Sequence, residues 1–376
     1  FLKNFIWLKK IVLVLQQIMG LKITGTGSSI PKITQKNDFF SNHNFYDIDG
    51  KKFEIENQTI IEKFKSITGI NERKYALPSE NTSDLAFEAS KIAISDAEID
   101  PETIDYIILA HNFGDISSNS NQPDTLPSLA SRVKAKLRIQ NPNCVAYDIL
   151  CGCPGWVEGM IQANAFIKAK MAKKCLVIGA DTLSRVVDIY DRDSMIYADG
   201  AGAAILEATN EAGGILSYSS ATYTSNDETG FLYYGNSNNQ SHDQNEKFIK
   251  MFGRKVYEFA LNHVPEAMEN CFEKSKKDID ELKKIFIHQA NNKMDESIIK
   301  RFYRKYKKEM PENILPMNID EYGNSSVATV PTLFDLVIRS SYKGHDLNQG
   351  DVIIFAAVGA GMNINAITYQ IWKYYW

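Results

Sequence analysis

The chain is poor in cysteine: 376 residues contain five, at 144, 151, 153, 175 and 271. An odd number without dense, regular spacing excludes a disulfide scaffold and fits a reducing cytoplasm. No sign of charge dominates, since 42 basic and 46 acidic residues leave a formal −4. That balance gives no global pull toward nucleic acid or an anionic membrane. Long apolar runs are missing too. In the amino-terminal stretch the uncharged run Ile11 to Gly20 is about half a membrane span. No small-residue cleavage site follows it, so residues 1–18 read as an extension, a tag or a surface amphipathic helix, with a membrane anchor as the second reading. His43, His111, His242, His263 and His345 are scattered, and no Cys/His spacing suggests a metal. What the chain does have is 44% apolar residues, enough for a large core and incompatible with disorder or fibre.

From Leu21 onward the pattern is α/β. Short β-branched runs at Leu21–Thr26, Tyr106–Ala110, Cys175–Gly179 and Val352–Ala357 alternate with helical patterns such as Ser83–Ala97 and Gly155–Lys170. Near-continuous apolar strands of this kind are covered by helices on both faces. The same order of elements occurs twice. The helix Ser83–Ala97 leads through Glu98-Ile99-Asp100 to a strand ending at His111-Asn112, and a helix around Arg254–Glu273 leads through Asp278-Ile279-Asp280 to one ending at His288. Later in each half a tight turn opens a helix, at Cys153 and at Asn324, about 171 residues apart, and the buried strands that follow are about 177 apart. A duplicated core is expected, with residues 19–209 as the first half and 210–376 as the second. The polar stretches Gly114–Asp124 and Thr222–Glu246 read as loops bordering an entrance.

Cys153 follows the strand-like Val145–Leu150 and precedes Pro154, which suits the first turn of a helix. Helix-terminal N–H groups would then face the sulfur, lowering its pKa and favouring thiolate. Taken alone, the cysteine is more simply a small buried residue, and Asn324 a helix cap. His288, at the end of a buried strand, projects where open α/β sheets place their crevices. The duplication sets the Asn324 turn opposite the Cys153 turn. Cysteine, histidine and asparagine in this order also occur in papain-like proteases, which Cys151-Gly152-Cys153 and Trp156 superficially match. That class predicts no duplication.

The motifs Ile23-Thr-Gly-Thr-Gly-Ser28, Thr68-Gly-Ile-Asn-Glu-Arg73, Tyr147-Asp148, Gly179-Ala-Asp181, Tyr190-Asp-Arg-Asp193, Asp199-Gly-Ala-Gly-Ala203, His288-Gln-Ala-Asn291, Tyr322-Gly-Asn324-Ser-Ser and Gly359-Ala-Gly361 occur in one order. Over about Leu21 to Ile371 the chain thereby resembles a β-ketoacyl-acyl-carrier-protein synthase III of the thiolase superfamily. The resemblance implies two similar halves in a layered α-β-α-β-α core, with Cys153 as acyl-carrying nucleophile. His288 and Asn324 would stabilise the enolate left when carbon dioxide departs from a malonyl-type extender, and the N–H groups of Cys153 and Ala360 would form the oxyanion hole. It also implies acyl carrier protein and acyl thioesters as partners, a homodimer, and neither cofactor nor metal. Gly25-Thr-Gly27 and Gly200-Ala-Gly202 lack the third glycine of a dinucleotide site and read as structural turns.

The chain departs from the family in places. Lys63 and Ile67 stand where a tryptophan and an arginine clamp coenzyme A, which points to a carrier-bound donor. Leu126 and Met362 replace larger groups at the acyl pocket, Leu126 being the residue offered by the partner subunit. The segment Lys293–Lys308 carries seven basic against two acidic residues; it is either a solvated face or, through Lys293 and Arg301, a dock for an acidic carrier protein. The leading expectation is a specialised condensing enzyme of lipid or polyketide synthesis. Within it stands a ketosynthase joining two ketoacyl units into a cyclohexanedione. An acyltransferase to oxygen or nitrogen without decarboxylation, and a non-catalytic partner subunit, are the alternatives.

Overall fold

The computed structural model describes residues 20–372 apart from 212 and 341, so the extension read at 1–18 lies outside the described residues. In chain order the strands are β1 (Gly20–Ser29), β2 (Ile33–Lys36), β3 (Glu72–Tyr75), β4 (Tyr106–Ala110), β5 (Val145–Ile149), β6 (Lys174–Thr182), β7 (Asp199–Thr209), β8 (Gly214–Thr222), β9 (Leu232–Gly235), β10 (Phe248–Met251), β11 (Leu282–Ile287), β12 (Val352–Gly359) and β13 (Asn363–Gln370). One large sheet runs β1-β7-β6-β4-β5 and the other β8-β13-β12-β11. Read in that direction the two orders correspond: β8 answers β1, β13 answers β7, β12 answers β6 and β11 answers β4. The sense of pairing repeats as well, with β4–β6 and β11–β12 parallel and β6–β7 and β12–β13 antiparallel. Only β5 has no counterpart among the described residues. It forms an edge.

The helices Gly155–Lys168 and Thr329–Ser340 lie between the sheets and touch both. Outside the first sheet pack Thr82–Asp96 and Leu129–Lys136, and outside the second pack Gly253–Lys274 and Asn292–Lys305. The result is the layered thiolase arrangement. Its middle layer is held by Trp156, Phe286, Phe334 and Phe355, whose rings meet edge to face, 5.5 Å apart for Trp156 and Phe355 and 5.0 Å for Phe334 and Phe355. Burial from both sides explains why β6 reads as an unbroken apolar run, with every residue after Lys174 buried.

The glycine pairs expected as turns are instead strand residues. Gly25 and Gly27 lie in β1, and a Cβ there would stand 2.3 Å from the Ala93 carbonyl oxygen and 2.4 Å from that of Ala89. Gly202 in β7 would likewise meet the Thr332 nitrogen at 2.7 Å. These glycines let helix backbones approach the sheet closely. Sequence spacing does not separate that use from a turn.

The polar stretch 222–246 contains β9, which pairs with β10 as a hairpin. A buried lysine fixes it to the body: Lys250 Nζ donates to Asp188 Oδ2 at 2.5 Å, Asn238 Oδ1 at 2.7 Å and Asp191 Oδ2 at 3.0 Å. The stretch 114–124 is closed by Asp115 and Asp124, which exchange backbone hydrogen bonds.

One buried acid has little compensation, only a backbone contribution from Asn291. Asp295, fully buried in the helix Asn292–Lys305, has both carboxylate oxygens without partners among the described residues, and burial holds its pKa well above the usual carboxylate range. A raised folded-state pKa means that stability is fullest below the unfolded value, about 3.9, and is lost as pH rises toward the folded one. Asp295→Asn is therefore expected to melt higher than wild type at pH 7, by at least about 2 °C, the shift that about 1 kcal/mol gives in a large domain. The gain should shrink as pH falls toward about 4. Calorimetry across pH checks it, and a lower melting temperature at pH 7 would show that Asp295 has a favourable partner.

Candidate active site

Cys153 sits on the loop from β5 to the helix Gly155–Lys168. Gly152 before it takes the left-handed φ of +67°, and a Cβ at this glycine would meet the Ala360 nitrogen at 2.7 Å. Pro154 after it is the helix N-cap. From the other half, Gly359 presses on the same spot: a Cβ there would lie 2.4 Å from the Cys153 nitrogen. The backbone N–H groups proposed for the oxyanion hole, those of Cys153 and Ala360, thus belong to two loops held in contact by glycines.

The expectation of a ready thiolate is corrected. Enclosure of the sulfur pushes the Cys153 thiol up to about 12, and the negative field of Asp181 adds to this. Opposing it are a hydrogen bond from Ser326 and one from the cysteine's own N–H. Lost hydration outweighs the helix terminus. Burial thus favours the protonated thiol.

His288 follows the last residue of β11, and its backbone N–H donates to Ala356 O at 2.8 Å, prolonging the β11–β12 pairing by one step. The side chain is buried and Nδ1 has no partner among the described residues. Burial lowers its pKa to about 4, against a backbone hydrogen bond with Ser326. The ring is neutral near pH 7. Gln289 beside it accepts from the backbone N–H groups of Asn318 at 3.0 Å and Ile319 at 3.1 Å and donates to Pro316 O, anchoring the approach to the asparagine turn. Asn291 caps the helix Asn292–Lys305 through the Met294 N–H.

Asn324 is held on both sides by the first half, its N–H donating to Ile196 O at 3.0 Å and its C=O accepting from Ala198 N–H at 2.8 Å. Its Oδ1 accepts from Ser326 N–H at 2.8 Å. That bond, to the N–H two residues on, occupies the oxygen and leaves the amide NH₂ without a partner among the described residues' hydrogen bonds, while the N-cap of the following turn is Ser325 rather than Asn324. Ser326 connects the site. Its hydroxyl donates to Cys153 Sγ at 3.2 Å and accepts from Asn112 Nδ2 at 2.9 Å.

The structure thus brings Cys153, His288 and Asn324 around one serine, with Ala360 against the cysteine loop. Other expected residues lie apart. Leu126 is 87% exposed on the surface of the chain, and Met362 is fully buried in the core outside the second sheet. Lys293 is exposed, in the first turn of its helix. Arg301 donates to Leu261 O and Asn262 Oδ1, while Lys300, Lys305 and Lys308 pair with Glu296, Glu269 and Asp280. Much of that helix's positive charge is therefore neutralised locally. Ser326, Asn112 and Asp181 were quoted in motifs or strands without a role. The signal for Asn112 and Asp181 is their position at the ends of β4 and β6, and for Ser326 its place in the turn after Asn324. Among the described residues no group of His, Cys, Asp and Glu is placed to hold a metal, and no helix is long and apolar enough to cross a membrane.

A duplicated, layered fold with a cysteine at a helix start and a histidine–asparagine pair from the second half defines a thiolase-superfamily condensing enzyme. Comparison with known proteins agrees. The model for 3-oxoacyl-[acyl-carrier-protein (ACP)] synthase III matches residues 147–224, and that for its C-terminal part matches 272–371. The β-ketoacyl-[acyl-carrier-protein] synthase III of Prochlorococcus marinus (strain MIT 9215) is 33% identical over 358 residues, 93% of this chain and 96% of the relative. That of Clostridium botulinum (strain Loch Maree / Type A3) is 34% identical over 365 residues, 94% and 99%. The crystal structure of 3-oxoacyl-[acyl-carrier-protein] synthase III from Aquifex aeolicus VF5 superposes with a TM-score of 0.76 at 28% identity, covering 93% of this chain and all of the other. The priming β-ketosynthase of the R1128 polyketide pathway shares the fold, with a TM-score of 0.78 at 21% identity over 94% of this chain and 97% of the other. The chain belongs to the β-ketoacyl-acyl-carrier-protein synthase III family.

Proposed function

We propose that this protein forms a carbon–carbon bond by decarboxylative Claisen condensation, in specialised lipid or polyketide synthesis in the cytoplasm. Cys153 takes an acyl group from a thioester, which divides one difficult transfer into two easier ones. The N–H groups of Cys153 and Ala360 receive the oxyanion of each tetrahedral step. A malonyl-type extender on acyl carrier protein then places its thioester carbonyl against His288 and Asn324. Carbon dioxide leaves, and the electron pair becomes an enolate held by those donors. Its carbon attacks the acyl-cysteine, freeing the thiolate.

The observation that carries this reading is the meeting of an enclosed thiol, a neutral imidazole and an outward-facing amide NH₂ around Ser326. Decarboxylation supplies the carbanion without a base. Neither an amide nor an imidazole held near pKa 4 is strong enough to take an α-proton. Intact mass spectrometry tests the first half: an acyl adduct is expected on wild type and not on Cys153→Ala. Carbon dioxide release tests the second, and acyl transfer without it would favour the non-decarboxylating acyltransferase. A product joining two ketoacyl units would select the cyclohexanedione-forming subclass.

Two features support the partners. At the edge strand β5, Val145 is 46%, Leu150 69% and nearby Leu126 87% exposed, an apolar rim with unpaired backbone that a second copy would cover. In that homodimer Leu126 reaches the partner's acyl pocket, whose wall includes the region of Met362. For the donor, exposed Lys63 and 41% exposed Ile67 offer no clamp for an adenine, which supports a carrier-bound thioester. Charge reversal Lys293→Glu is expected to lower turnover with carrier-bound substrate roughly tenfold, mostly through slower association. Arg301→Glu should do less, because its guanidinium is already occupied. Turnover with a short thioester mimic serves as control, and an unchanged rate with carrier substrate would remove Lys293 from the docking surface.

A further inference from the structure

The family reading leaves Ser326 without a role, yet it touches more of the site than any other residue. It is buried and holds a left-handed backbone at φ +54°, which a non-glycine side chain rarely adopts. This conformation begins the turn into the helix Thr329–Ser340. It sends the N–H to Asn324 Oδ1 and the hydroxyl to Cys153 Sγ. The hydroxyl is itself held: Asn112 Nδ2 donates to it at 2.9 Å and to Asp181 Oδ2 at 2.6 Å, while Asn112 N–H donates to Asp181 Oδ1 at 2.9 Å. Since an amide NH₂ only donates, it fills an acceptor site on the serine oxygen, and the hydroxyl proton is shared between the sulfur and the Asp181 carboxylate, which also hydrogen-bonds this serine. Asn112 and Asp181 come from the ends of β4 and β6, so a rigid sheet sets the direction of this donor.

We propose that Ser326 is a further catalytic residue of this site, its hydroxyl stabilising the Cys153 thiolate that attacks the acyl thioester while its backbone N–H orients Asn324 for the second step. In acylation the Cys153 S–H bond breaks, a bond forms from sulfur to the acyl carbon, and the donor's C–S bond breaks. The thiol proton ends on the departing carrier thiolate, so the step balances without an added group. The hydroxyl lies 3.2 Å from the sulfur, which the cysteine's own N–H also contacts. Without it, the enclosed thiol would have little to offset lost hydration. Asn112 and Asp181 are positioning residues.

The inference refines the condensing-enzyme reading but is tested apart from it, by the pH dependence of Cys153 alkylation with iodoacetamide, scored on the Cys153 peptide by mass. The titratable groups facing the sulfur are Asp181 from β6, Cys151 on the same loop and Tyr197 beside the Asn324 turn, with His288 after β11 bonded to the same serine. Ser326→Ala and Ser326→Gly are each expected to move the alkylation midpoint up by about one pH unit, a tenfold slower reaction at pH 7.5. The glycine variant tolerates the positive φ and serves if alanine impairs folding. Asp181→Asn removes a negative charge that raises the thiol and should move the midpoint down. General loosening of the site would move all three in one direction. Wild-type midpoints in folded Ser326 variants would overturn the proposal. Absence of any acyl adduct on wild type would instead overturn the condensing-enzyme reading, leaving the alkylation result to stand.

Discussion

Replacing Asn324 by aspartate is expected to slow condensation about 10³-fold while Cys153 acylation stays within about threefold of wild type. The substitution is nearly isosteric. One carboxylate oxygen still accepts the Ser326 N–H, 2.8 Å away in the native protein, and the backbone bonds to Ile196 and Ala198 do not involve the side chain. The other oxygen takes the place of the NH₂ group, so a donor becomes an acceptor with negative charge. It does so at a position only 5% exposed, where the charge is weakly screened and faces the oxygen on which enolate charge builds. Both the lost donor and the new repulsion act on decarboxylation, whereas the first acyl transfer feels only the new charge, indirectly, through the Cys153 thiol. Acylation is read by intact mass in a single turnover, and condensation by carbon dioxide release with the extender. Equal carbon dioxide release from variant and wild type would remove Asn324 from enolate stabilisation. Loss of acylation as well would mean that the turn, rather than its amide, is what matters.

What the sequence disclosed divides along a physical line. The duplicated order of strands and helices was legible because β4, β6, β11 and β12 are buried on both faces and therefore written as apolar runs. The helix after Cys153 was legible from Pro154, and the His288 strand from its apolar residues. Those signals depend on burial and local backbone preference, which single positions record. The charge state of Cys153 was misjudged because a helix terminus is a local feature, whereas enclosure of the sulfur requires Gly359 and Ser326 from the other half. Gly25 and Gly202 were read as turns for the same reason: the helix backbones that need the missing Cβ come from elsewhere in the chain. Ser326 was invisible as a donor, since its function rests on a left-handed φ that a serine codon does not announce. The charge of the segment Lys293–Lys308 looks larger in sequence than it is in space, because Glu269 and Asp280, which pair with Lys305 and Lys308, lie outside the segment.

The contact between the halves yields the other large effect. Gly359→Ala is expected to lower both acylation and condensation roughly 10²- to 10³-fold, without unfolding the protein. Gly359 has an extended backbone, φ −164°, so alanine meets no conformational penalty there, and the whole cost is space. Its Cβ would lie 2.4 Å from the Cys153 nitrogen, 2.7 Å from Pro154 Cδ and 2.9 Å from Cys153 Cβ. No flexible side-chain end can yield, because the obstacles are backbone and a proline ring. The Cys153 loop and the Ala360 turn must therefore separate, at a cost of about 1–3 kcal/mol of stability for overpacking. The two N–H groups then no longer converge on one oxygen, and every tetrahedral step passes through that oxygen. This distinguishes the variant from Asn324→Asp, which spares acylation. Gly253→Ala is the matched control, since a Cβ there meets only Met251 Cε at 3.6 Å and should leave both steps at wild-type rates. If Gly359→Ala kept wild-type acylation, the oxyanion hole would have to be sought away from the Cys153–Ala360 contact.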